Sequence, residues 1–372
     1  MRRTLLAIFS LLLQLELAAS LSSTASAPST NQKVLDDVKF PRTWVPLAST
    51  MELDPDRPTP LAFLGQKYVS YQDNVGQWVI LDDACPHRLA PLSEGRIDRE
   101  NDRLECSYHG WSFNSTGSLQ RIPQAMPQVQ AAAQASPRSS VSSYPVTVHK
   151  NVLWFWPWQE DCLSVVGKTH AHPEGMLERV ASNPMTTTRD LPYGWDTLVE
   201  NLIDPSHVPF AHHGLQGNRD DAVAINMTTP TLEGEKGFSF EWSDRTMKKF
   251  RKGEGCFRAP FVVQYDATFD TGSPFQLSAI CIPTKPGWAR AIIIPGGDAK
   301  EKDETTKKSR SSIFSLIPKW LIHILSNKFL DTDLAFLHFQ ERNLARPGAD
   351  YFMPAPSRSL HCRLETMDPR IR

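Results

Sequence analysis

Two short loops, Cys85-Pro-His87 and Cys106-Ser-Tyr-His109, each offer one thiol and one imidazole, and eighteen residues separate them. No other feature constrains this chain as strongly, because four such donors serve a common purpose only if the backbone brings both loops to one point. A strand read over Trp78 to Leu81 would deliver the first loop. Two thiolates and two imidazoles form the ligand set of a [2Fe–2S] centre in which His replaces Cys on one iron. The same residue types also hold a tetrahedral zinc. The division of one Cys and one His per loop, with Gly110-Trp111 following the second, favours the iron–sulfur cluster.

With C-P-H-R at Cys85 and C-x-Y-H-G-W at Cys106, residues 40–158 resemble the N-terminal Rieske domain of ring-hydroxylating and related oxygenases. The resemblance implies an all-β Rieske domain with the cluster loops at its tip. Its late hairpin is read as Val146–His149 and Val152–Trp156, turning at Lys150-Asn151. Gln124 to Ser143, rich in Gln, Ala and Ser, reads as a surface excursion without chemistry.

An electron-carrying domain needs an acceptor, and the stretch from Glu200 to His213 holds D-x-x-H-x-x-x-x-H, formed by Asp204, His207 and His212. Two imidazoles and one carboxylate on one face of a metal, with positions left open, is the ligand set of non-haem Fe(II) oxygenases. The step from Asp204 to His207 suits one helix face. The step to His212 would place the imidazoles about 140° apart on a regular helix. Pro205 and Pro209 break or bend such a helix, so a distorted segment is expected here. In the resembling family the residue at Asp204 is a bridge rather than a ligand, His207 and His212 are the ligands, and Asn201 is a supporting polar residue. The carboxylate ligand is then expected from Asp331-Thr-Asp333, which that family places before a helix ending in Gln or Gln-Glu, here Gln340-Glu341. Asp333 is the expected ligand and Asp331 the alternative; His213 and His338 are not expected to bind metal.

Several longer stretches, N-L-I-D-P-S-H-V-P-F-A-H-H-G, I-P-K-W-L-I-H, L-D-T-D and F-L-H-F-Q-E-R, resemble the pheophorbide a oxygenase-like branch of the Rieske non-haem iron oxygenases. The likeness implies residues 159–356 as an α+β helix-grip catalytic domain with an antiparallel sheet, holding mononuclear Fe(II). It further implies a ferredoxin-type electron donor, O₂ as co-substrate, a lipophilic chlorophyll-derived macrocycle such as pheophorbide a as substrate, and a homotrimer in which Asp204 takes electrons from the neighbouring subunit's cluster. Two other readings remain: a non-enzymatic Rieske redox component of a plastid import or assembly complex, and the same oxygenase chemistry on a sterol or aromatic substrate.

Residues 1–30 read as a bipartite leader for a plastid, with Arg2 and Arg3 before the apolar run of a signal peptide, then a Ser/Thr/Ala-rich transit-like stretch. Ile313, Leu316, Ile317, Trp320, Leu321 and Ile324 fall at helical spacing, too few to span a bilayer. They read either as core packing or as a basic amphipathic helix in peripheral contact with a membrane. Residues 357–372 form a polar tail that carries Cys362 but lacks the C-x-x-C pair of that branch. The 40 basic and 41 acidic residues nearly cancel, so no net field draws the chain to nucleic acid.

Overall fold

The computed structural model describes residues 40–158, 173–296 and 319–346. The leader, the tail and the part of the amphipathic run before Lys319 lie outside them.

The first part is built from short antiparallel strands. A three-stranded sheet pairs β1 (Val45–Ser49) with β11 (Val152–Phe155) and β10 (Val146–His149). A four-stranded sheet runs β2 (Thr59–Phe63), β3 (Gln66–Gln72), β4 (Trp78–Asp82) and β9 (Ser143–Tyr144). A smaller sheet orders β5 (Arg96–Asp98), β6 (Arg103–Glu105), β7 (Ser112–Phe113) and β8 (Leu119–Arg121). The β10–β11 hairpin turns at Lys150 and Asn151, both at positive φ (53° and 59°), which gives the two-residue turn the twist its strands require. Helix α1 (Pro127–Gln134) corrects the reading of Gln124 to Ser143 as a bare excursion, since its Ala133 is fully buried beside Val141 in the core under the small sheet.

The second part is an antiparallel sheet in the order β12 (Thr187–Leu191), β19 (Trp288–Pro295), β18 (Pro274–Lys285), β17 (Val262–Phe269), β16 (Lys249–Arg258), β15 (Gly237–Thr246) and β13 (Asn226–Met227), with β14 (Thr231–Leu232) pairing the end of β15. Helix α2 (Trp195–Ile203) packs on β17, β18 and β19. It ends at Asp204, whose backbone is extended ahead of Pro205. A four-residue helix, α3 (Val208–Ala211), follows, and then α4 (Lys319–Leu344).

One apolar core spans both parts: Phe261 meets Phe40 and Phe63 at ring-centroid distances of 5.7 and 6.2 Å. The β2–β3 turn donates its Leu64 and Gly65 N–H groups to the Pro283 and Thr284 carbonyls of β18. A second core under the cluster loops includes Tyr71, Leu92, Leu104, Phe113, Cys85 and Cys106. Of the described residues of that run, Trp320 and Ile324 are exposed and Leu321 is half-buried. Among the described residues no helix is long and apolar enough to cross a membrane.

Candidate metal centres

The two Cys/His loops are folded alike. In each, the Cys N–H donates to the carbonyl five residues on (Cys85 to Ala90, 2.8 Å; Cys106 to Trp111, 2.8 Å), and the Cys carbonyl accepts from the residue four on (Leu89, 2.7 Å; Gly110, 2.9 Å). That fourth residue has positive φ in both loops, 57° at Leu89 and 72° at Gly110. The matched turns set both cysteines inward, each 2 % exposed, with their thiols against one another. Burial, with Cys106 adding to it, pushes the Cys85 thiol up to about 12. Burial alone makes this an unfavourable place for thiolate; the net +2 charge of an oxidised [2Fe–2S] core would balance two thiolates, so the donor set fits the cluster. His87 and His109 lie 4.5 Å apart, and the Trp111 ring stacks on His87 at 4.9 Å and 3°. The Trp of the second loop therefore orients the His of the first.

At Gly110 a side chain would meet Pro123 Cγ at 2.8 Å, in a backbone conformation that costs an L-residue about 1–2 kcal/mol. Gly110→Ala is expected to fold with less acid-labile sulfide per chain than the wild type. Equal sulfide in the two proteins would show that the loop tolerates the distortion.

The second centre forms where α2 breaks. Asp204 and His207 do not share a helix face: Asp204 caps the end of α2, while His207 and His212 cap the two ends of α3. A single helical turn separates the two imidazoles, and as caps of its opposite ends they converge with their Nε2 atoms 3.2 Å apart. The Tyr265 hydroxyl donates to the Leu202 carbonyl at 2.9 Å and secures the broken end. Asp333 comes from α4, 3 % exposed, with Oδ1 3.8 Å from His207 Nε2 and Oδ2 3.4 Å from His212 Nε2. One donor atom from each of the three lies within 4.8 Å of the others. Among the described residues the two imidazoles are Asp333's only ion-pair partners within 4 Å. Burial pushes its carboxyl up to about 6, against the opposing pull of His207 and Asn201. Burial, reinforced by His207, pushes His212 down to about 3, so this imidazole is neutral and able to ligate. A buried carboxylate and two converging imidazoles fit a divalent metal.

Asp331, the alternative ligand, points elsewhere: its carboxylate accepts from Arg189 Nη2 of β12 at 2.5 Å. His338 donates through Nδ1 to the Pro192 carbonyl at 2.8 Å, and His213 Nδ1 accepts the Arg219 N–H at 3.3 Å. The acidic pair does not precede a helix, as expected from sequence; it lies in the middle of α4. The His338 and Arg189 contacts, together with the Gly194 N–H donated to the Glu341 carboxylate, clamp α4 along the segment leading into α2.

Asp204 Oδ2 stands 3.8 Å from His207 Nδ1, an electrostatic contact longer than a hydrogen bond. Its other oxygen accepts the Ser206 N–H at 2.8 Å and the Ser206 hydroxyl at 2.5 Å. Burial works against ionisation here, but His207 and Ser206 outweigh it and lower the Asp204 pKa. His207 is raised, burial being overcome by Asp204 and Asp333. A cleft of about 370 Å³ opens on the site between Asn201, Asp204, His207, Asp333, Arg219 and Gln340, with the rings of Phe210 and Phe336 at its rim.

The profile of the Rieske [2Fe-2S] domain matches residues 43–145, that of pheophorbide a oxygenase residues 257–350, and that of the vanillate O-demethylase oxygenase C-terminal domain residues 194–287. The chain is 35% identical over 309 residues to the chloroplastic pheophorbide a oxygenase of Oryza sativa subsp. japonica, a match covering 80% of this chain and 56% of that protein. It is 32% identical to the protochlorophyllide-dependent translocon component 52 of Arabidopsis thaliana over 84% of this chain and 61% of that one. It thus spans little more than half the length of these relatives. Dicamba monooxygenase bound to dicamba shares the fold at a TM-score of 0.67 and 16% identity, covering 89% of this chain and 96% of that one.

Proposed function

The chain belongs to the pheophorbide a oxygenase-like branch of the Rieske oxygenases, and from that premise we propose that it is a plastid oxygenase acting with O₂ on a chlorophyll-derived macrocycle such as pheophorbide a. The observation that carries this reading is the convergence of His207, His212 and Asp333, since a pure electron carrier has no use for a second, buried metal site.

When bound, the [2Fe–2S] cluster supplies single electrons and a ferrous ion supplies the activation of O₂. The chain's own residues do the rest. Cys85, Cys106, His87 and His109 hold the cluster, and Trp111 fixes the orientation of His87. Exposed Leu89 and Tyr108 flank the two histidines and give a ferredoxin-type donor an apolar landing point. Asp204, fixed by Ser206 and with its side chain 46% exposed, offers the path by which the neighbouring subunit's cluster reaches His207 in a homotrimer. His207, His212 and Asp333 hold the ferrous ion, and Asn201 steadies the Asp333 carboxylate. A tetrapyrrole is too large for the cleft to enclose, so it enters edge first, its remaining rings resting on Phe210 and Phe336. This apolar mouth keeps the reacting edge away from bulk water.

Reduced ferredoxin, pheophorbide a and ¹⁸O₂ test the proposal. The expected result is a product carrying at least one ¹⁸O atom, formed only with all three present. The similarity to a translocon component motivates a second reading, a redox component of plastid import. Reduction of the cluster by ferredoxin without turnover of any chlorophyll-derived macrocycle would favour it.

A further inference from the structure

Three consecutive residues of α4 point three ways, as successive helical positions about 100° apart must. Asp331 pairs with Arg189, Asp333 faces the imidazoles, and Thr332 between them meets the far side of His212, with Oγ1 2.7 Å from Nδ1. The same hydroxyl lies 2.7 Å from the Phe329 carbonyl, one turn back along the helix. A hydroxyl has one hydrogen, and a carbonyl can only accept. With the hydrogen committed to Phe329, Thr332 Oγ1 must accept from His212, so the ring nitrogen facing it carries the proton.

We propose that Thr332 is a positioning residue that holds His212 in its Nδ1–H tautomer, leaving the Nε2 lone pair directed at the metal site. The inference rests on reading His207, His212 and Asp333 as the ligands of a divalent metal. The Phe329 ring, stacked on His212 at 3.8 Å and 20°, fixes the plane of the imidazole, while Thr332 fixes its rotation and its proton. The two histidines are thus supported differently: His207 by the carboxylate of Asp204, His212 by a neutral hydroxyl tied to the backbone of the helix that also supplies Asp333. One rigid element therefore sets both a ligand and the orientation of another.

Thr332→Val keeps the shape of the side chain and removes the acceptor; Thr332→Ser keeps the acceptor. Anaerobic titration with Co(II), followed by its visible ligand-field bands, is expected to give an affinity about 10–100-fold weaker for Thr332→Val, with Thr332→Ser within a few-fold of the wild type. The Rieske absorption should be equal in all three. Wild-type affinity in Thr332→Val, with binding lost in Asp333→Ala, overturns the role of Thr332 and leaves the metal site standing. Absence of binding in the wild type overturns both. If Thr332→Val does not fold, ¹⁵N correlation spectra of the histidine-labelled wild type without added divalent metal decide the matter: a His212 signal of the Nδ1–H form sustains the proposal, and the Nε2–H form refutes it.

Discussion

Asp333→Ala is expected to lose the mononuclear metal and to slow turnover at least about 1,000-fold, while keeping the Rieske absorption unchanged. Asp333 is the one anionic donor of the second centre, and its carboxylate lies within 4 Å of both imidazoles. Without it two imidazoles remain, too few to hold a labile ferrous ion against water. The Rieske cluster should not notice, because the core around Cys85 and Cys106 contains no residue of α4. Asp331→Ala is the control. It breaks only the pair with Arg189, whose acidic partner is half exposed, so the stability cost is at most about 1 kcal/mol and the metal stays. Metal content and oxygen uptake of the two variants check this, and equal losses would contradict the separate roles of the two acids.

Asp244→Ala is expected to destabilise the protein by about 3–5 kcal/mol, lowering the melting temperature by roughly 6–20 °C. Asp244 on β15 lies opposite Arg251 on β16, and Arg251 reaches it through Nε at 2.7 Å and Nη2 at 2.9 Å. Both residues are at most 5 % exposed, and the guanidinium is set against the Trp242 and Phe275 rings at 4.6 and 4.3 Å. Among the described residues its Nη1 has no acceptor, so removing Asp244 leaves a buried cation with no charge partner in the sheet. The double variant Asp244→Leu/Arg251→Met should recover most of the loss, because it removes the charge together with its partner. Thermal unfolding followed by circular dichroism tests this, and a double variant no more stable than Asp244→Ala would contradict it.

The extent to which these features could be read beforehand depends on how local their causes are. The cluster ligands are local: each loop carries its own Cys and His, and C-P-H-R and C-x-Y-H-G-W present them in order. The break between α2 and His207 is local too, because Pro205 stops the helix at Asp204, while Pro209 sits in the first turn of α3, where a proline is tolerated. Asp333 is legible only through the family resemblance, since nothing in its neighbours points to His212. The middle of α4 departs from the sequence expectation for a physical reason. Asp331-Thr-Asp333 has the composition of a helix start, where short polar side chains satisfy free N–H groups. Here they satisfy distant partners instead, Arg189 and His212, and the helix runs through them. Helix α1 did carry a signal, with Pro127 at its first position and helix-forming Gln and Ala after it, but a single buried Ala133 leaves no apolar stripe to notice. The shared hydrogen-bond pattern of the two cluster loops lies in the backbone and leaves no mark on the side-chain sequence beyond Gly110.

The most direct test of the two-centre account is iron and acid-labile sulfide per chain, with EPR of the dithionite-reduced protein, in the wild type and in His207→Ala. About three irons and two sulfides in the wild type, and loss of one iron in the variant with the Rieske signal intact, is the expected result, since a [2Fe–2S] cluster and one mononuclear site account for those atoms. Two irons in both proteins, with the same signal, would contradict a second iron centre at His207, His212 and Asp333.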